Sequence, residues 1–92
     1  MVPFAPADLS ANSGDAEVSL TWAASTGAVG YYVKRALTSG GPYTQIAAPT
    51  SPAYTDASVT NGTTYRYVVS AVGALGESSN SAQVSATTPN AS

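Results

Sequence analysis

Few residues in this chain have side chains suited to chemistry. Its 92 residues include no histidine and no cysteine, and the ionisable side chains are sparse. Without histidine the commonest general base and metal ligand is missing. Without cysteine neither a disulfide nor a thiolate zinc site can form. A serine nucleophile would depend on Lys34, the one lysine, which strand alternation places on an outward face where water keeps it protonated. The sequence therefore predicts no catalytic centre.

The acidic residues are the remaining candidates for catalysis or metal binding. Glycoside hydrolysis needs two carboxylates roughly 5–10 Å apart, and the strand order expected below keeps Asp56 and Glu77 apart. Asp8, Asp15 and Glu17 are close in sequence and could hold a calcium ion. Solubility at turns and strand edges is the favoured interpretation of these three carboxylates. We expect no metal site and no cofactor.

Charge and hydropathy exclude two classes of partner. Three basic residues against five acidic ones give a net charge of −2, whereas phosphate binding needs clustered lysine and arginine. The sequence therefore predicts neither nucleic-acid nor membrane binding. No apolar run reaches the ~20 residues of a membrane span. The first residues lack the basic and apolar regions of a signal peptide.

The elements that carry these residues are short β-strands. Apolar and polar residues alternate with period two, and turn residues interrupt them every 8–12 residues or so, which predicts seven strands in an all-β domain. Spacing alone leaves a sandwich or a barrel open, and a sandwich is favoured. The predicted inward residues, which include the structural set Trp22, Leu20, Tyr31, Val33, Tyr65 and Val69, are Leu9, Val18, Leu20, Trp22, Tyr31, Val33, Arg35, Ile46, Tyr54, Tyr65, Tyr67, Val69, Ala71, Ala82, Val84 and Ala86, and Tyr43 is expected beside Ile46 at the start of the same short strand.

The stretch TNGTTYRYVVSAV gives the most specific fold signal. Asn61 and Gly62 suit a turn, and Tyr65 follows at the start of a strand. In immunoglobulin-like sandwiches a tyrosine in this position buries its ring and bonds the backbone upstream, which is called a tyrosine corner. Together with VSLTW, GYYVKRA, TSGGPYTQIA and GESSNSAQVSAT, the stretch resembles a fibronectin type III domain over residues 5–88. Residues 1–4 are then an N-terminal arm and residues 89–92 a C-terminal linker.

The resemblance implies a seven-stranded immunoglobulin-like β-sandwich of fibronectin type III topology. It further implies a non-catalytic accessory module, a spacer or interaction domain, excised from a larger secreted bacterial protein such as a polysaccharide-degrading enzyme. The expected partners are the flanking domains of that protein, the expected location is extracellular, and the expected state is a monomer. The Arg-Gly-Asp adhesion motif of the family is missing from residues 73–80, so integrin-type binding is not carried over.

Two binding hypotheses remain beside the spacer. Exposed aromatic rings in a row could hold a polysaccharide, and the residues available for this are Tyr32, Tyr43 and, in the arm, Phe4. Cross-strand pairing that shields the sheet is the favoured role for Tyr32 and Tyr43. A protein partner could instead meet loops 23–30 and 73–80, whose apolar tips are Val29 and Leu75, although both loops lack the aromatic and arginine anchors of binding hot spots.

Overall fold

A computed structural model describes residues 5–74 and 76–88, which fold into two antiparallel sheets. The predictions for Phe4, Leu75, the arm 1–4 and the linker 89–92 lie outside these residues. The described part contains no helix with the length and hydrophobicity to cross a membrane. The strands are β1 (Ala7–Gly14), β2 (Glu17–Ala23), β3 (Gly30–Ala36), β4 (Thr44–Ala47), β5 (Ala53–Asp56), β6 (Thr64–Gly73), β7 (Gly76–Glu77) and β8 (Val84–Thr87).

The strands divide into a three-stranded and a five-stranded sheet that pack face to face. The first sheet has the order β1-β2-β5, and the second has the order β4-β3-β6-β7, with β8 also paired to β6. The chain changes sheet from β2 to β3, from β4 to β5 and from β5 to β6, as in a Greek-key sandwich. This arrangement confirms the predicted all-β sandwich and excludes the barrel.

The described residues form eight strands, one more than the predicted seven, because the last stretch of chain is divided. The two-residue strand β7 pairs with the end of β6, and β8 pairs with its beginning. Between them, Ser78 and Ser81 follow the same edge of β6 through backbone bonds to the carbonyls of Ala71 and Val69. The sequence SSNSAQ has no alternating apolar side chains, so hydrogen bonds rather than apolar packing hold it along β6.

The core lies between the sheets and is built from the inward positions of β2, β3 and β6. Alternation places one face of each strand against the other sheet. The buried members of the apolar cluster are Val18, Leu20, Trp22, Tyr31, Val33, Val59, Tyr65, Tyr67, Val69, Ala71 and Ala86. Leu9, Ile46, Tyr54 and Val84 are half-buried and pack against this cluster.

Three positions depart from strict alternation. Ala82 was predicted to face inward, but it is exposed because β8 begins only at Val84. Tyr43 precedes β4 rather than forming part of it, because the Gly-Gly-Pro turn still occupies residues 40–42. Val68 faces away from the core, yet it is only 2% exposed. The outward side of the second sheet is therefore partly covered by other parts of the chain.

The chain enters and leaves the domain at opposite poles of the sandwich. At the entry pole, Ala7 of β1 pairs with Ala23 of β2, and the connection 24–29 follows. At the exit pole, Thr87 of β8 pairs with Thr64 at the start of β6. The chain therefore traverses the full length of the sandwich between its first and last strands.

Candidate functional site

Among the described residues, Asp56 at the end of β5 is the one charged residue that is buried. It is 1% exposed and accepts hydrogen bonds from Arg35 Nη1 at 2.8 Å and the Tyr67 hydroxyl at 2.8 Å. Ser58 donates two more, from its hydroxyl at 2.6 Å and its backbone nitrogen at 3.1 Å. These residues form the Asp56 cluster, in which one strand of the first sheet is bonded to two strands of the second.

Electrostatics keep the Asp56 cluster ionised. Burial alone would raise the pKa of Asp56, but the hydrogen bonds from Ser58, Arg35 and Tyr67 outweigh it and hold that pKa below its usual value. Burial and the bond to Asp56 raise the pKa of Tyr67, so its hydroxyl stays protonated as a donor. Arg35 also lies over the Tyr65 ring, 5.1 Å from its centroid. A carboxylate with four donors and no space beside it is a cross-link rather than a base.

Sequence reasoning missed this cluster, although one signal was available. Arg35 occupies an inward position of β3, in phase with Tyr31 and Val33. A guanidinium facing a core needs a carboxylate partner. Asp56 lies two positions after the half-buried Tyr54 on β5 and therefore on the same face of that strand. This position made Asp56 the best candidate among the acidic residues for pairing with Arg35.

A second polar cluster lies on the outward side of the second sheet and is called here the Lys34 cluster. Lys34 Nζ contacts Glu77 Oε2 at 2.6 Å and Asn80 Oδ1 at 2.8 Å, and the Ser70 hydroxyl donates to Glu77 Oε2 at 2.5 Å. The bonds from Lys34 and Ser70 lower the pKa of Glu77. The cluster fastens residues 77–80 to the centre of the sheet, and the Asp56 and Glu77 carboxylates have separate partners, as expected.

The two tyrosines proposed for sugar contact have different surroundings. Tyr32 is half-buried on the outward side of β3, directly opposite Ser70 of β6 and beside the Lys34 cluster. The Tyr43 hydroxyl instead donates to Gln83 Oε1, which also accepts from the backbone nitrogen of Gly40 at 2.8 Å. Gln83 Nε2 in turn contacts the Ser39 hydroxyl at 3.2 Å. The polar edge of the Tyr43 ring is therefore engaged within the protein, whereas Tyr32 borders hydrogen-bonding groups of the surface.

The acidic residues near the first turn do not form a metal site. Asp15 Oδ1 accepts a hydrogen bond from Asn61 Nδ2 at 2.8 Å, and Glu17 approaches Gly14. Within residues 5–74 and 76–88, no three histidine, cysteine, aspartate or glutamate side chains lie close enough to share a metal ion. The calcium hypothesis thus has no support in the described residues.

The structural set predicted from the sequence lies in the core. Trp22 of β2 meets Tyr31 of β3 edge to face, with ring centroids 5.3 Å apart. The Tyr31 hydroxyl accepts from the backbone nitrogen of Ser25 at 3.0 Å. The Tyr65 hydroxyl accepts from the backbone nitrogen of Thr60 at 2.9 Å. Leu20, Val33 and Val69 are buried in the same apolar cluster as these aromatic groups.

An open groove of about 680 Å³ lies at the exit pole. Its apolar lining comes from Leu37, Pro42 and Ile46, and its polar lining includes Thr60 and Thr63. Leu37 is 63% exposed, and its backbone carbonyl accepts from Arg66 Nη1 at 2.9 Å. Among the groups lining this groove, no nucleophile is paired with a base, so its geometry suits contact rather than chemistry.

Comparison with known proteins places this arrangement in context. No family model matches the chain. An amylopullulanase of Thermoanaerobacterium thermosulfurigenes is 42% identical over 78 residues, which is 84% of this chain but 4% of that enzyme. A poly(3-hydroxybutyrate) depolymerase of Ralstonia pickettii is 45% identical over 75 residues, or 80% of this chain and 14% of that enzyme. The chain thus spans a small fraction of these relatives.

A solved structure matches from end to end. The crystal structure of a Fn3-like protein from Clostridium thermocellum is 45% identical, with a TM-score of 0.85, and the match covers 98% of this chain and 97% of that one. Its fold and its sequence therefore agree over nearly the full length of both proteins. On this evidence the chain belongs to the fibronectin type III family.

Proposed function

We propose that this domain is a spacer and interaction module of a larger exported bacterial protein, where it holds the flanking domains apart. The chain is a small fibronectin type III domain, a non-catalytic fold that corresponds to a short segment of its enzyme relatives. Residues 1–4 and 89–92 act as the connecting arms. The observation that carries this proposal is that β1 begins at one pole and β8 ends at the other.

The nature of the relatives supports a role independent of one substrate. One relative is an amylopullulanase and another a poly(3-hydroxybutyrate) depolymerase. These two enzymes are named for chemically different polymers. A module found in both is better explained by a spacer role than by recognition of one polymer. We infer an extracellular location from this context, since a polymer too large to cross a membrane can be reached only by an exported enzyme.

The two exposed large hydrophobic residues suit contacts with neighbouring domains. Val29 is 69% exposed at the entry pole, and Leu37 is 63% exposed at the exit pole beside the groove. Each lies where the chain enters or leaves the sandwich. In the whole protein, partial burial of these side chains against the flanking domains would limit bending at both junctions.

The test compares the natural module with two replacements between the same flanking domains. One replacement is an unrelated β-sandwich with termini at opposite poles, and the other is a Gly/Ser linker with the same number of residues. The longest axis of the module is 48 Å, and such a linker has a root-mean-square span of about 50 Å. The mean separation is therefore uninformative, and the width of the distance distribution is what must be measured.

Small-angle X-ray scattering and pairwise distance measurements should give a narrow distribution for the module and the substitute sandwich, and a broad one for the linker. Activity on insoluble polymer should be retained in the two proteins with a narrow distribution and reduced in the protein with the linker. If the linker chain is as active as the natural protein, the spacer function is wrong. If only the natural module supports activity, a specific surface is required instead.

Weak polysaccharide contact is the second candidate function, and the surroundings of Tyr32 favour it. Tyr32 lies opposite Ser70, which donates to Glu77, and two positions before Lys34 on the same face of β3, so its ring adds a flat apolar face to a surface with hydrogen-bonding groups, as sugar sites require. Tyr43 contributes less, because its hydroxyl is bonded to Gln83. Affinity electrophoresis in gels containing soluble polysaccharides tests this: retardation should be lost in Tyr32→Ala and kept in Tyr43→Phe. Unretarded migration of the wild type in every gel would rule this function out.

Recognition of a protein partner through loops 23–30 and 73–80 has less support. Residues 76–77 of the second loop form strand β7, and Glu77 is occupied by Lys34 and Ser70. Among the described residues of these loops, Val29 offers the one large exposed hydrophobic side chain. We assign this residue to a flanking domain rather than to a separate partner.

A further inference from the structure

The turn between β5 and β6 contains the pair Asn61-Gly62, and both the oxygen and the nitrogen of the Asn61 side chain are hydrogen-bonded. Asn61 Oδ1 accepts from the backbone nitrogen of Ala16 at 2.7 Å, and Asn61 Nδ2 donates to Asp15 Oδ1 at 2.8 Å. The carboxamide thereby joins this turn to the β1–β2 turn at the exit pole. Both ends of the Asn61 side chain are directed at residues 15 and 16.

An asparagine followed by glycine is prone to deamidation because of the chemistry of its own backbone. The backbone nitrogen of Gly62 can attack Cγ of Asn61, and glycine has no Cβ to hinder the approach. A nitrogen–carbon bond forms, the side-chain carbon–nitrogen bond breaks, and ammonia leaves with the proton of the Gly62 amide. Water then opens the cyclic imide to aspartate or isoaspartate, so the net change consumes one water and releases one ammonia.

The native contacts oppose the cyclisation step, because they restrain both the attacking nitrogen and the carboxamide. The attacking nitrogen of Gly62 donates its proton to the carbonyl of Thr88 at 3.1 Å. Thr88 is 1% exposed, and its hydroxyl donates to the carbonyl of Thr60 at 2.9 Å. The nucleophile is therefore held towards Thr88 while the carboxamide is held towards Asp15. Attack requires both sets of bonds to open together.

We propose that Asn61-Gly62 is a latent deamidation site which the folded domain keeps inert and unfolding releases. The product also opposes refolding. A carboxylate at position 61 would replace the donor that faces Asp15 with a second acceptor, so two negative groups would meet where a 2.8 Å hydrogen bond now lies. The isoaspartate product adds a backbone atom to the turn and displaces Gly62 from Thr88. Each period of unfolding thus converts part of the population to a form with a weakened exit pole.

The first experiment measures deamidation at each asparagine by peptide mass spectrometry, in native buffer and in urea at the same pH and temperature. Asn12 and Asn80 precede serine and serve as internal references. In urea, Asn61 should react faster than either reference. In native buffer its rate should fall at least about tenfold, equivalent to a local opening that costs about 1.4 kcal/mol or more. Equal rates at Asn61 in the two conditions would overturn the proposal, and so would no preference for Asn61 in urea.

Variants of the β1–β2 turn separate the side-chain contact from general stability. Asp15→Ala removes the partner of Asn61 Nδ2, and Glu17→Ala removes a carboxylate of the same turn that does not contact Asn61. The native deamidation rate should rise several-fold in the first variant and stay at the wild-type value in the second. Their rates in urea should be equal. Identical native rates in the two variants would overturn the protective role of Asp15.

A charge exchange tests the effect of the product. Asn61→Asp should unfold at a lower urea concentration than the wild type. Adding Asp15→Asn to that variant exchanges donor and acceptor across the same contact and should recover most of the loss. A double variant no more stable than Asn61→Asp would contradict the proposed conflict between the two carboxylates.

Discussion

The Tyr67 hydroxyl donates a 2.8 Å hydrogen bond to Asp56 Oδ2 across the interface between the two sheets. Tyr67 belongs to β6 of the five-stranded sheet and Asp56 to β5 of the three-stranded sheet. Arg35 of β3 reaches the same carboxylate oxygen at 2.8 Å. Apolar contacts between two sheets are non-directional and allow several relative positions of the sheets. The hydrogen bonds to Asp56 are directional and favour one of these positions. Such fixing suits a domain that must keep its neighbours at a constant separation.

Asp56→Asn should destabilise the domain by about 3 kcal/mol, because it leaves the Arg35 charge next to the core without its partner. The loss is expected at the lower end of the range for buried ion pairs, since Arg35 is partly exposed. Urea unfolding followed by tryptophan fluorescence measures it. Glu17→Gln, which also removes one negative charge, is the control and should leave the midpoint unchanged. Equal midpoints for the two variants would show that the Asp56 cluster is dispensable.

Acid should weaken the domain through the same carboxylate. The pKa of Asp56 is lower in the folded protein than in the unfolded chain, so its stabilising contribution is present at neutral pH. The contribution begins to fall as the pH drops to the unfolded value of about 3.9 and is lost below the folded pKa. The free energy of unfolding of the wild type and of Asp56→Asn should therefore converge at low pH. A constant difference down to acid-induced unfolding would contradict this linkage.

Tyr65→Phe keeps the ring and deletes the hydroxyl that accepts from the backbone nitrogen of Thr60. The amide of Thr60 then loses its partner, so a loss of about 1–2 kcal/mol is expected. Tyr32→Phe on the outward side of the second sheet is the matched control. Chemical denaturation of both variants measures the effect, and a neutral Tyr65→Phe would show that the predicted tyrosine corner does not stabilise the fold.

Trp22→Ala should cost about 3–5 kcal/mol, because it empties a large part of the interface between the sheets. Trp22 is 6% exposed, and among the described residues its Nε1 has no hydrogen-bond partner. Trp22→Phe, which retains a ring against Tyr31, should therefore cost less than half as much. Thermal and urea unfolding measure both variants by circular dichroism. A loss below about 1 kcal/mol for Trp22→Ala would mean that the ring is not a core residue.

The strand pattern and the identity of the core could be predicted from local sequence. Val18, Leu20 and Trp22 alternate with polar residues on β2, and this period admits one inward face. The turn before Tyr65 likewise depends on residues that are adjacent in the chain. The outward burial of Val68 could not be predicted in this way, because alternation assigns a side chain to a face and does not say what covers that face. The same applies to the division of the last strand into β7 and β8, which follows from pairing with β6.

The sequence by itself determined the all-β class, the sparse chemistry and the packing of the aromatic residues. These features follow from period-two alternation, from the missing residue types and from turns, all of which act over a few residues. Only the tertiary structure decided that Arg35 pairs with Asp56, that Lys34 reaches Glu77 and that Asn61 is held by Asp15. Each of these pairs joins residues more than twenty positions apart. A hydrogen bond forms only when donor and acceptor lie within a few tenths of an ångström of their preferred separation, and composition and spacing do not encode that separation.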